Sequence, residues 1–170
     1  MPMKLGAGGK MQNYDSHGRY AKTNAIIIPP IHLSKKDKAK LKEAVRREVL
    51  KNRAKNSKDK YVFDVFNAIE NEFPGEVQFV NTKLYDNALN DKRELDIITK
   101  TCIIEIKGEK GRKRLNQLVA QKEFAKTKGK THFVFAPNIL EATKREYEKN
   151  SITIFRNIDS LINAIKETKK

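Results

Sequence analysis

Cysteine is nearly absent from this chain. The single residue, Cys102, excludes an internal disulfide framework and any zinc site built from several thiolates, and it points to a reducing compartment. Long apolar runs are missing too. The longest, Ala25 to Pro30, falls far short of the ~20 residues a bilayer span needs, and it is too short for a signal peptide. The three histidines, His17, His32 and His132, are too scattered for a zinc or HNH-like cluster, and His132, at a predicted strand start, reads as structural or rim-lining. There is no arguable Ser-His-Asp arrangement, no Gly-rich loop ending in Lys-Ser or Lys-Thr, and no repeat of solenoid length.

Negative charge is also scarce. Against 36 Lys and Arg stand 21 Asp and Glu, a net charge of +15. A surface this cationic favours polyanions, because each phosphate it neutralises releases condensed counterions. The excess is uneven: residues 1–60 hold 16 basic against 5 acidic side chains, and residues 61–170 hold 20 against 16.

Residues 1–33 read as a linker or junction, because Gly6, Gly8, Gly9, Gly18 and Pro29-Pro30 interrupt them too often for a helix or a long strand. Ser34 to Asp37 resembles a capping box, and Leu41, Ala44, Val45 and Val49 follow at helical spacing, which predicts a basic amphipathic helix over 34–59. Its cations, Arg46 and Arg47 among them, are either a solvated surface or an arm that tracks phosphates. Residues 60–170 then alternate: a helix from Lys60 to Phe73, strands at Val77–Val80, Leu95–Thr99 and Cys102–Ile106, a helix from Leu115 to Thr127, a strand His132–Ala136, a helix near Leu140–Lys149, a strand Ile152–Phe155, and a helix from Asp159. This order predicts an α/β fold, a central mixed β-sheet flanked by helices, with the first three strands a meander.

The chemistry concentrates in the segment from Glu94 to Lys107. With Lys100-Thr101 as the turn, paired positions sum to 201, so Asp96 lies opposite Glu105 and Glu94 opposite Lys107. Alternation then puts Asp96, Glu105 and Lys107 on one face together with Ile103, and Leu95, Ile97, Ile104 and Ile106 on the other. Two carboxylates directly across a ladder have Cβ atoms about 5 Å apart and repel unless a proton or a cation sits between them. Hard oxygen ligands at this spacing suit Mg²⁺ or Mn²⁺, with Zn²⁺ an alternative. The lysine alongside would stabilise a charged phosphoryl transition state. Glu-x-Lys is common in a lysine-rich chain, and Glu167-Thr168-Lys169 repeats it without an assigned role. The basic loop Lys110, Arg112, Lys113 and Arg114 directly after the second strand is placed to hold a nucleic-acid backbone. Tyr61 and Tyr85 are either base-stacking or core.

Asp96, then Glu105-Ile106-Lys107, then a helix carrying Gln117 and Gln121, resemble the core of the PD-(D/E)xK nuclease superfamily, the restriction-endonuclease-like αβββαβ fold, over about residues 60–136. The name-giving proline is replaced by Leu95. The resemblance implies metal ligation by Asp96, Glu105 and the carbonyl of Ile106, catalysis by Lys107, and a part for Gln117 or Gln121. It also implies a helix glutamate, for which Glu70, Glu72 and Glu76 compete. Residues Gly8 to Tyr20 resemble junctions that precede toxin modules of bacterial polymorphic and contact-dependent growth-inhibition systems. The first resemblance implies a metal-dependent endonuclease for DNA or tRNA, and the second implies delivery into a target-cell cytoplasm and an acidic immunity protein. Without delivery, a cytoplasmic protein is implied.

Overall fold

The computed structural model describes residues 3–5, 11–13, 32–86, 91–108 and 115–170. It divides into two units, Met1–Lys38 and Ala39–Lys170. In the first, strands β1 (Met3–Leu5) and β2 (Met11–Asn13), three residues each, pair antiparallel inside the segment expected to be a linker. The first turn of helix α1 (Lys35–Lys55) is capped as expected. Ser34 Oγ accepts the Asp37 N–H at 3.1 Å and donates to its carboxylate at 2.6 Å.

The second unit follows the expected order: α2 (Lys60–Glu72), β3 (Val77–Asp86), β4 (Asp91–Thr99), β5 (Cys102–Ile106), α3 (Leu115–Thr127), β6 (Thr131–Phe135), α4 (Glu141–Lys149), β7 (Ile154–Phe155) and α5 (Ile158–Thr168). The sheet order is β3-β4-β5-β6-β7, antiparallel through the meander and parallel from β5 to β7, which makes a mixed sheet in an α/β architecture. One face buries Val80, Ile97, Cys102, Ile104, Ile106, Phe133 and Phe135 beneath α2 and α5, which contribute Val62, Val65, Phe66, Ile69, Leu161 and Ile165. The other face carries Ile98 and Ile103 against Phe124 and Ala125 of α3, and Val134 and Ile154 against Leu118 of α3 and Tyr147 of α4. Covering both faces buries all five residues of β5, four of them apolar and the fifth Glu105.

Three expectations are corrected. The stripe Leu41, Val45 and Val49 of α1 is exposed by 55%, 56% and 48%, and Leu50 and Ala54 pack into the α2/α5 core instead. Helix α1 from Ala39 onward is therefore part of the folded unit, not an arm ahead of a domain that starts at residue 60. Strands β3 and β4 run on through Asn81–Asp86 and Asp91–Glu94, a mostly polar extension beyond the apolar segments. Leu95 packs with Ile98 and Ile103 against α3, away from Ile97, so alternation breaks at Asp96. In the β3–β4 register Asn81 lies beside Asp96, between the pairs Val80–Ile97 and Thr82–Leu95, and it holds φ at 46°. A left-handed residue inside a strand twists it locally, and here the twist falls next to the aspartate.

Candidate active site

The hairpin register is the expected one: Ile97 pairs with Ile104 and Ile98 with Ile103. Backbone pairing of β4 with β5 goes no further. At the next step the Asp96 side chain turns across, and its Oδ2 accepts the amide N–H of Ile106 at 2.8 Å. The aspartate thus ends the ladder by taking a backbone donor into its own carboxylate, a charge-assisted bond stronger than a neutral one. Past that point β5 keeps its other neighbour, since Lys107 N–H donates to the Phe135 carbonyl of β6 at 2.9 Å.

Glu105 is 1% exposed and faces α3. Gln121 donates from Nε2 to Glu105 Oε2 at 3.0 Å, and its Oε1 lies 3.1 Å from His132 Nε2. His132 pairs with Ile103, and Val134, two residues on, pairs with Glu105. The parallel register therefore sets His132 on the Glu105 face of the neighbouring strand. Of the two helix glutamines, the structure brings Gln121 to the carboxylate and leaves Gln117 exposed, because Leu118 and Gln121 occupy the inward stripe of α3. His132 is a contributor that sequence reasoning set aside by looking for a histidine cluster.

Lys107 extends over the ring of Tyr147, its Nζ 5.6 Å from the centroid. Burial lowers its pKa from the usual lysine value to about 8. Tyr147, also missed, is the one buried residue of α4, and a lone aromatic in so charged a helix was the available signal. Gly108 follows in a tight cradle. Its N–H donates to Asp59 Oδ2 at 2.7 Å and its carbonyl accepts from Asn138 at 2.9 Å, while Asp59 Oδ1 caps α2 through the Tyr61 N–H at 2.9 Å. A Cβ on Gly108 would collide with both Asp59 oxygens and lie 2.5 Å from Tyr61 Cδ2. Tyr61 is half-buried edge-on to Phe135, which makes it a wall of this cradle.

Other candidates lie elsewhere. Glu70 accepts the Gly75 and Val77 N–H groups at 2.9 Å each, holding the turn after α2. Val77 pairs with Thr99, three residues along β4 from Asp96, so Glu70 stands about 10 Å up the sheet from the carboxylate pair. Glu72 is exposed, and Glu76, 3% exposed, is paired at 2.6 Å with Lys169, which gives the second Glu-x-Lys a structural use. Arg46 donates to the carbonyls of Val77 and Gln78 on the edge strand β3, at 3.1 and 3.4 Å, and so covers an exposed ladder instead of reaching outward. Arg47 is exposed and pairs with Glu43 at 3.5 Å. Lys110, Arg112, Lys113 and Arg114 lie outside the described residues.

Among the described residues no three His, Cys, Asp or Glu side chains converge as a metal-holding group, and no helix is long and apolar enough to cross a membrane. The groups the resemblance implies as ligands, the Asp96 and Glu105 carboxylates and the Ile106 carbonyl, are all hard oxygen. That fits a magnesium-like ion, which commonly binds through one or two carboxylates and keeps several waters. No family model, curated protein or solved structure matches the chain.

Proposed function

We propose that this chain is a divalent-metal-dependent endonuclease that hydrolyses phosphodiester bonds of DNA or tRNA. One observation carries the reading. Glu105, almost fully buried, directly follows Ile104, and Asp96 directly precedes Ile97, the last paired residues, so continuing the register would set them opposite, with Lys107 two residues beyond Glu105. A carboxylate this deep is costly to keep charged without hydrogen-bonding or cationic company, and Gln121 supplies one such bond to Glu105. Such groupings are the kind that function retains against stability.

Asp96 and Glu105, with the Ile106 carbonyl, would hold Mg²⁺ or Mn²⁺, and Gln121 keeps Glu105 in orientation. When bound, the ion supplies Lewis-acid polarisation of a phosphoryl oxygen and a more acidic water. Lys107 contributes its ammonium to the charge that builds on the phosphoryl group, from a half-buried position where that charge is weakly screened. Asp59, Asn138 and Gly108 fix the main chain directly after Lys107.

The biological setting we propose is a toxin module of an interbacterial competition system, from the junction-like residues Gly8 to Tyr20 and a net charge of +15 that an acidic inhibitor would cover. The exposed stripe Leu41, Val45 and Val49, flanked by Lys40, Lys42 and Lys51, suits such a partner. Incubation with plasmid DNA and total tRNA in Mg²⁺, Mn²⁺ or Zn²⁺, each with and without EDTA, tests the enzymatic reading. Metal-dependent cleavage supports it. Salt-sensitive binding without cleavage under any metal would replace it with a non-catalytic nucleic-acid-binding module.

A further inference from the structure

We infer that His132 is a positioning residue of this site, acting through Gln121 on Glu105; the inference rests on the nuclease reading above. The argument starts from donor and acceptor identities. An ionised carboxylate only accepts, so the end of the Gln121 amide that faces Glu105 is its NH₂. The amide oxygen is then turned toward His132 Nε2 at 3.1 Å, and that contact is attractive only when Nε2 carries a proton. Were Nε2 bare, its lone pair would oppose the amide oxygen. The amide would turn over and present that oxygen to the carboxylate, pushing Glu105 out of position.

His132 and Gln121 are each 5% exposed and Glu105 is 1% exposed, so solvent is poorly placed to substitute for a missing member. The three belong to three different elements, β6, α3 and β5, which hold the chain end to end. Neither His132 nor Gln121 need touch the substrate. Their role is to fix the rotamer of Glu105 that accepts the Gln121 amide.

The test compares His132→Leu, His132→Gln and Gln121→Leu with wild type in metal-dependent cleavage, alongside ring-nitrogen NMR of His132 in metal-free wild-type protein. A glutamine at 132 places a donor near the position of the ring Nε2, whereas leucine cannot donate. The expected result is a tenfold or larger loss of kcat in His132→Leu with KM within twofold, and recovery of most of that loss in His132→Gln. In a Gln121→Leu background, His132→Leu should cost nothing further. The ring should carry its proton on Nε2. Independent, multiplying losses, or a glutamine variant no better than leucine, would overturn the inference. If the leucine variant does not fold, the glutamine variant and the ring measurement still decide. If wild type cleaves nothing, the nuclease reading falls, and the ring measurement alone rules on the contact: a proton on Nε2 upholds it and a bare Nε2 refutes it.

Discussion

Asp96 Oδ2 accepts the Ile106 amide N–H at 2.8 Å, so the residue proposed to bind a cation also terminates the backbone ladder between β4 and β5. Structure and chemistry share one carboxylate, and substitutions should separate them. Asp96→Asn keeps an acceptor oxygen and should fold with stability within about 0.5–1 kcal/mol of wild type, since a neutral bond replaces a charge-assisted one. Asp96→Ala strands the amide and should lose about 1–3 kcal/mol. Both should lose more than a hundredfold in cleavage. Urea denaturation beside the nuclease assay checks this, and equal stability losses in the two variants would contradict the role of the bond.

Gly108 is the second point where geometry is demanding. Any side chain there meets Asp59 and Tyr61, so Gly108→Ala should destabilise by about 1–3 kcal/mol, as overpacking does. It should also displace Lys107 and reduce cleavage. Thermal unfolding reads the first effect, and a variant as stable and active as wild type would show that the cradle yields.

Lys107 titrates low for a lysine because burial penalises its charged form. In metal-free protein the 13Cε signal of Lys107 should therefore titrate near pH 8, well below an exposed lysine. The linked stability effect has a definite sign. Between about 8 and the ordinary value of 10.5 the unfolded chain binds more protons at this site than the folded one, so stability rises with pH across that window relative to Lys107→Met. Below pH 8 both states are protonated and the dependence vanishes. A flat difference between the two proteins from pH 8 to 10.5 would contradict the buried placement.

Helix α1 offers a contrast between two ridges one residue apart, about 100° round the helix. Val45→Ser, on the exposed stripe, should change stability by no more than about 0.5 kcal/mol, whereas Leu50→Ala should cost about 2–5 kcal/mol. Chemical denaturation of the two variants settles which ridge packs.

The same helix shows where the sequence could not be read. Leu41, Val45 and Val49 have good amphipathic spacing, but spacing does not reveal which of two ridges meets the core, and Arg46 follows the buried one by bonding to β3 carbonyls. The hairpin was legible because a two-residue turn fixes parity, and the pairing of Ile97 with Ile104 follows from it. Leu95 was misplaced because parity fails where Asn81 and Asp96 distort adjacent strands. The outer halves of β3 and β4 are mostly polar, and Leu84-Tyr85 alone is too short an apolar signal to extend the strand. Glu70 looked available as a lone acid at the edge of a buried stripe, yet two backbone amides at a turn ending in Gly75, with φ at 81°, claim it. The Glu105, Gln121 and His132 chain depends on α3 lying over β5 and β6, a tertiary fact no local pattern encodes.

Most direct for the central claim is a cleavage time course on plasmid DNA and total tRNA in Mg²⁺ or Mn²⁺, run for wild type and Glu105→Gln, with circular dichroism confirming that both are folded. Glutamine preserves the size of the buried side chain but removes the charge that would hold the cation. The account predicts cleavage by wild type that EDTA abolishes, and a loss of at least a hundredfold in the variant. Equal cleavage by the two folded proteins, or cleavage indifferent to EDTA, would contradict it.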